Sequence, residues 1–183
     1  VGFIQIIKNL KSDLSPPLHY FVIHIWGELF GYEEAPLKTL PAFFGILSIP
    51  AMYLLGAALF NREAGLWACL LTALSRFQVW YSQEIRMYSM LMFVCILSMY
   101  FLYRALVEDS CWHWLGYAVC TVLEVYTHYY GLFLAISGFV ACFLYLILKK
   151  ITLRKFLVIH FAIGLCFMPW FLLVLKSHTS KGD

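Results

Sequence analysis

The stretch Tyr81-Ser82-Gln83-Glu84-Ile85-Arg86-Met87-Tyr88 packs a carboxylate, a guanidinium, an amide and two phenols between two long apolar runs. A guanidinium offers a two-pronged donor fork to a phosphate or carboxylate, so Arg86 is suited to an anionic ligand. Glu84 and Tyr88 are four apart, and a helix begun in the turn would place them on one face. An arginine–glutamate pair that merely secures an interfacial turn has the same composition. Spacing alone leaves both readings open.

A second group follows at Tyr126-Thr127-His128-Tyr129-Tyr130-Gly131. Glu124 precedes His128 by four, and a carboxylate one turn from an imidazole can orient it, raise its basicity or join it as a metal ligand. One histidine and one glutamate are too few to define a metal site, so none is assigned and a divalent ion is left open. An aromatic belt with one satisfied histidine reads the same way. Arg76 and Glu124 are charges inside apolar runs, each six residues from the outer end of its run. Both are therefore about 9 Å deep. Opposite charges at equal depth are expected to form an intramembrane pair.

The elements that must hold these groups are membrane helices. Hydrophobic residues make up 63% of the chain, aromatic residues 19% and charged residues 13%, with a mean hydropathy of +0.81. A soluble domain carries about 25% charge. A chain this apolar reads as an all-α, multi-pass integral membrane protein whose first partner is the lipid bilayer. The net charge of +3 points to no nucleic-acid partner. Six cysteines form no CxxC motif and five lie in apolar runs, which implies no disulfide framework and no structural zinc.

Six runs are long enough to cross a bilayer, at about 40–60, 65–82, 87–107, 112–130, 131–148 and 156–175. Pro50 and Pro169 are expected to kink their helices. Lys149, Lys150, Arg154 and Lys155 mark the loop before the sixth run as cytoplasmic. Parity then puts Glu33–Lys38, Ser82–Arg86 and the Tyr126–Gly131 turn on the outer side. The expected organisation is 1–38 as part of an outer catalytic loop, 39–176 as a six-helix membrane region and 177–183 as the start of another outer loop. The chain starts without Met and stops without a closing element, so an internal fragment of a longer protein is expected.

Leu18, Phe21, Val22, Ile25 and Leu29 form a helical stripe opposite His19, Tyr20, His24, Gly27 and Glu28. Too short to span, residues 16–30 read as an amphipathic helix lying in the outer interface, capped by Ser15 with Pro16 in its first turn. His19 and His24 read as part of its polar face. Residues 2–10 repeat the pattern, so one or two interfacial helices are expected.

Several segments, in order, resemble one family: the large-loop membrane glycosyltransferases related to protein O-mannosyltransferases and to the lipid A aminoarabinose transferase. Asp13-Leu14-Ser15-Pro16-Pro17-Leu18-His19-Tyr20 is similar to the family's Asp-x-His-Pro-Pro-Leu-Tyr-Tyr. Leu29-Phe30-Gly31-Tyr32-Glu33-Glu34, then Leu37-Lys38, resembles its Leu-Phe-Gly-x-Ser-Glu followed by Leu-Arg. Leu74-Ser75-Arg76-Phe77 resembles Leu-Ser-Pro-Phe, and the octapeptide is close to Tyr-Ser-Gln-Glu-Ala-Arg-Met-Tyr. The Tyr126–Gly131 segment and Pro169-Trp170 also have counterparts.

The resemblance implies a GT-C-like fold and a glycosyltransferase of the cell (inner) membrane. The donor would be a polyprenyl-phosphate sugar and the acceptor a hydroxyl of a protein, glycan or lipid. Transfer would occur on the outer face with inversion. It implies substrate-binding roles for Asp13, Lys38, Glu84, Arg86, Tyr88 and His128, and a catalytic base in an acidic pair expected upstream of Val1. Ser15, Lys38 and Arg76 depart from the family's His or Lys, Arg and Pro at those positions. A transporter or lipid flippase would also use intramembrane charges but needs a polar path through both leaflets, and a non-catalytic scaffold needs no site.

Overall fold

The computed structural model describes residues 16–148 and 150–179, with side chains as far as Lys176. Among these the regular structure is entirely helical: α1 (Leu18–Phe30), α2 (Glu34–Leu59), α3 (Arg62–Leu74), α4 (Arg76–Tyr81), α5 (Tyr88–Glu108), α6 (Cys111–Thr127), α7 (Gly131–Ile147) and α8 (Leu153–Thr179). Asp13, Ser15 and the stripe at 2–10 lie outside the described residues.

Local chemistry explains the breaks. Gly31 ends α1 at φ 103°, a conformation open to a residue without Cβ, and its N–H donates to the Gly27 carbonyl at 2.8 Å. Asn61 caps α3, its Oδ1 accepting from the Ala64 N–H at 2.9 Å. Asp109 ends α5 in the left-handed region at φ 51°. Ser75 closes α3 and caps α4, its Oγ accepting from the Gln78 N–H at 3.4 Å.

That serine alters the expected membrane crossing. The second apolar run is not one helix but two, α3 and the six-residue α4. Three helices are long and apolar enough to span: Glu34–Leu59, Tyr88–Glu108 and Leu153–Lys176. The fourth and fifth runs form helices of 17 residues each, α6 and α7. Pro41, Pro50 and Pro169 sit inside continuous helices.

Helix α2 packs along α3 and α5, α5 along α6, and α6 also meets α7 and α8. The α2–α3 approach depends on two glycines: a Cβ on Gly56 would meet the Gly65 Cα at 3.0 Å, and one on Gly65 the Tyr53 carbonyl at 2.8 Å. The densest core joins α5, α6 and α7 to the start of α8 through Leu102, Ala105, Trp114, Tyr117, Cys142 and Phe156. Large apolar side chains cover the outside of the bundle, as a lipid environment requires.

Helix α1 follows the same inverted logic. Its buried residues are His19 and Gly27, from the polar face, while Ile25 and Leu29 of the apolar stripe are 49% and 70% exposed. His19 and Gly27 therefore turn to the protein, while Glu28 of the same face is exposed and Leu18, Phe21 and Val22 are half-buried; α1 rests on α2 and α6.

Candidate functional site

The Glu84–Arg86 segment is a clamped loop. At its start the Ser82 hydroxyl donates to the Gln78 carbonyl at 2.7 Å, and the Gln83 N–H to the Trp80 carbonyl at 3.0 Å. At its end Met87 is buried and the Ser89 hydroxyl donates back to the Tyr81 carbonyl at 2.9 Å. Between these fixed ends Glu84 and Arg86 are exposed. Helix α5 starts only at Tyr88, so Glu84 and Tyr88 do not share a helical face as expected. The Arg86 N–H instead donates to the Glu84 carbonyl at 2.7 Å.

Aromatic rings carry the loop across to the α6–α7 turn. Ring centroids lie 4.8 Å apart for Tyr81–Tyr88, 5.9 Å for Tyr88–His128 and 4.4 Å for His128–Tyr130. His128 leaves the α6 axis because its backbone is extended, at φ −161°. Its Nδ1 accepts from the Tyr130 N–H at 3.0 Å, which leaves the ring proton on Nε2. Burial pushes its pKa below the ordinary histidine value, favouring that neutral form. Gly131 allows the tight turn, since a Cβ there would meet the Glu124 carbonyl oxygen at 2.5 Å.

His19 closes the group from the side of α1. It is 5% exposed, its Nδ1 has no hydrogen-bond partner, and Arg86 is its charged neighbour. Burial, and secondarily the Arg86 charge, push its pKa down to about 4. A neutral imidazole thus lies in the field of an exposed guanidinium. The sequence places His19 on the polar face of an amphipathic helix, and the structure buries it there. The available signal was its place in Pro16-Pro17-Leu18-His19-Tyr20, a segment that resembles the family's motif.

The other expected residues divide. Lys38 is ion-paired to Glu34 at 2.6 Å, so it is not a free cation, and Glu84 adds to the field on it. Arg76 and Glu124 are not joined. Arg76 is exposed at the start of α4. Glu124 is 0% exposed, and neither of its carboxyl oxygens has a hydrogen-bond partner. Its polar neighbours are the Cys95 thiol and the Ser98 hydroxyl, and its carboxylate makes no hydrogen bond to the His128 ring. Among the described residues no three His, Cys, Asp or Glu side chains converge as a metal ligand set.

The site is thus one end of the bundle where α1, the Ser82–Met87 loop and the α6–α7 turn present a guanidinium, two neutral imidazoles and a row of phenols. No curated protein and no solved structure matches the chain. The family model of the dolichyl-phosphate-mannose-protein mannosyltransferases matches residues 14–174, nearly the whole chain. The match takes in every segment in which this arrangement is built, and the chain belongs to that family of membrane glycosyltransferases.

Proposed function

We propose that the protein transfers a sugar from a polyprenyl-phosphate donor to an acceptor hydroxyl on the outer face of the membrane, with inversion. The acceptor oxygen attacks the anomeric carbon from the side opposite the phosphate. The bond from that carbon to the phosphate oxygen breaks, the polyprenyl phosphate leaves with the electron pair, and the hydroxyl proton passes to a base. The assigned base is an acidic group of the kind the family resemblance implies.

The observation that carries this reading is the exposed Arg86, which has no ion-pair partner among the described residues, acting on the neutral His19, together with the Tyr88–His128 contact. Negative charge grows on the phosphate as the bond to the sugar breaks. A guanidinium carried on a clamped loop matches that growth better than it matches the ground state. The His128 Nε2–H supplies a neutral donor to the same phosphate without adding a charge that must be desolvated. Tyr81 and Tyr88 offer ring faces and hydroxyls to the sugar. Asp13, Lys38 and Glu84 are assigned to substrate binding, Lys38 acting within its pair with Glu34.

The test is transfer by the intact protein reconstituted in vesicles with a polyprenyl-phosphate sugar. Arg86→Ala is expected to lower turnover about 100-fold or more while membrane insertion stays normal. Wild-type turnover by that variant removes Arg86 from the mechanism.

A further inference from the structure

The other end of the bundle holds a second polar–apolar boundary that sugar transfer does not use. There the α5–α6 turn faces the start of α8. A cleft of about 600 Å³ opens between α6 and α8, walled by Cys111, Trp114, Val158 and Ile159 and rimmed by Thr152, Arg154 and Lys155. Its size is that of a small-ligand pocket. Trp114 is fixed in the wall, its Nε1–H donating to Asp109 Oδ1 at 3.0 Å. Trp112 beside it is 79% exposed, as expected of a residue at the headgroup level.

The charges at this end are unevenly satisfied. Arg104 pairs with Glu108 at 2.7 Å, and Lys155 pairs with Asp109. Lys150 lies over the Tyr145 ring at 5.4 Å. Arg154 is exposed at the rim, and no described carboxylate pairs with it. Both acidic groups of the turn are therefore already engaged, and the rim keeps an excess of positive charge. Val158 and Ile159 lie four and five residues further along α8, about 6–7 Å deeper at 1.5 Å per residue. A cation at the rim with apolar wall beneath it along the membrane normal complements one kind of molecule: an anionic head above a hydrocarbon chain.

We propose that this cleft binds an anionic phospholipid, its phosphate on Arg154 and an acyl chain along Trp114, Val158 and Ile159. The site is independent of the sugar-transfer reading. A basic residue at the membrane surface attracts anionic lipid, and the cleft converts that attraction into residence at one place.

Native mass spectrometry of the intact protein tests this, using detergent containing equal amounts of phosphatidylglycerol and phosphatidylcholine with identical chains. Wild type is expected to retain one phosphatidylglycerol in preference by about fivefold or more. Arg154→Gln should abolish the preference, and Val158→Trp, which fills the cleft without changing charge, should abolish retention. Arg62→Gln, at an exposed arginine outside the cleft, should change neither. Equal retention of the two lipids by wild type overturns the proposal, as does a preference that survives Arg154→Gln. Loss with Arg154→Gln but not with Val158→Trp, or equal loss with Arg62→Gln, also overturns it, because surface charge then suffices.

Discussion

The ring of Tyr88 lies 5.9 Å from the ring of His128, centroid to centroid, and through this contact the first turn of α5 meets the α6–α7 turn. The two residues are forty positions apart in the chain. Each belongs to a segment whose chemistry is incomplete alone: one brings the Arg86 loop, the other a neutral imidazole.

Breaking that contact should therefore cost both partners' contributions at once. Tyr88→Leu and His128→Ala are each expected to lower turnover, and the double variant to lose less than the combined single losses. A coupling of about 1 kcal/mol is expected in a double-mutant cycle on transfer rates. Tyr88→Phe should keep the packing and most of the coupling. Strictly additive losses would separate the two segments functionally.

His19 gives the protein an acid-sensitive joint. Its ordinary pKa of 6.5 is pushed down to about 4 in the folded state, by burial first and by Arg86 second. Between those values the unfolded chain binds a proton that the folded chain refuses. Its contribution to stability is thus complete above about pH 6.5 and is lost as pH falls toward 4. The full loss is up to about 3 kcal/mol. Melting in detergent between pH 7 and 5 should show wild type losing stability more steeply than His19→Gln. Parallel slopes would show that this imidazole is not the titrating group.

Arg76 and Glu124 should behave as strangers. Arg76→Leu, at an exposed position, is expected to change stability by no more than about 0.5 kcal/mol. Glu124→Gln keeps the shape and removes the ionisable group, so a buried carboxyl without a cation partner should tolerate it. The double variant should show the sum of the single effects within about 0.5 kcal/mol. Clear non-additivity in thermal unfolding would restore the pair.

The class of the protein was legible from composition, because apolar runs of this length have no other stable home than a bilayer. So was the polar loop, since charges between two apolar runs must surface where the chain turns. A helix in this stretch was legible too, from its stripe, although it runs Leu18–Phe30 with Pro17 as its N-cap and no side-chain cap, so Pro16 precedes the first turn it was expected to open. Hydropathy, however, reads along the chain and is blind to the third dimension. It could not see that the Ser75 hydroxyl competes for a backbone N–H and divides the second run. Equal depth suggested that Arg76 and Glu124 meet, but helix rotation decides pairing, and it turns one outward while the α5–α6 interface encloses the other. The sequence by itself determined a helical membrane chain with reactive groups at its turns. Only tertiary packing decided that His19 and Gly27 look inward, because α1 rests on α2 and α6 along that side, and so brought the His19 imidazole into the field of Arg86.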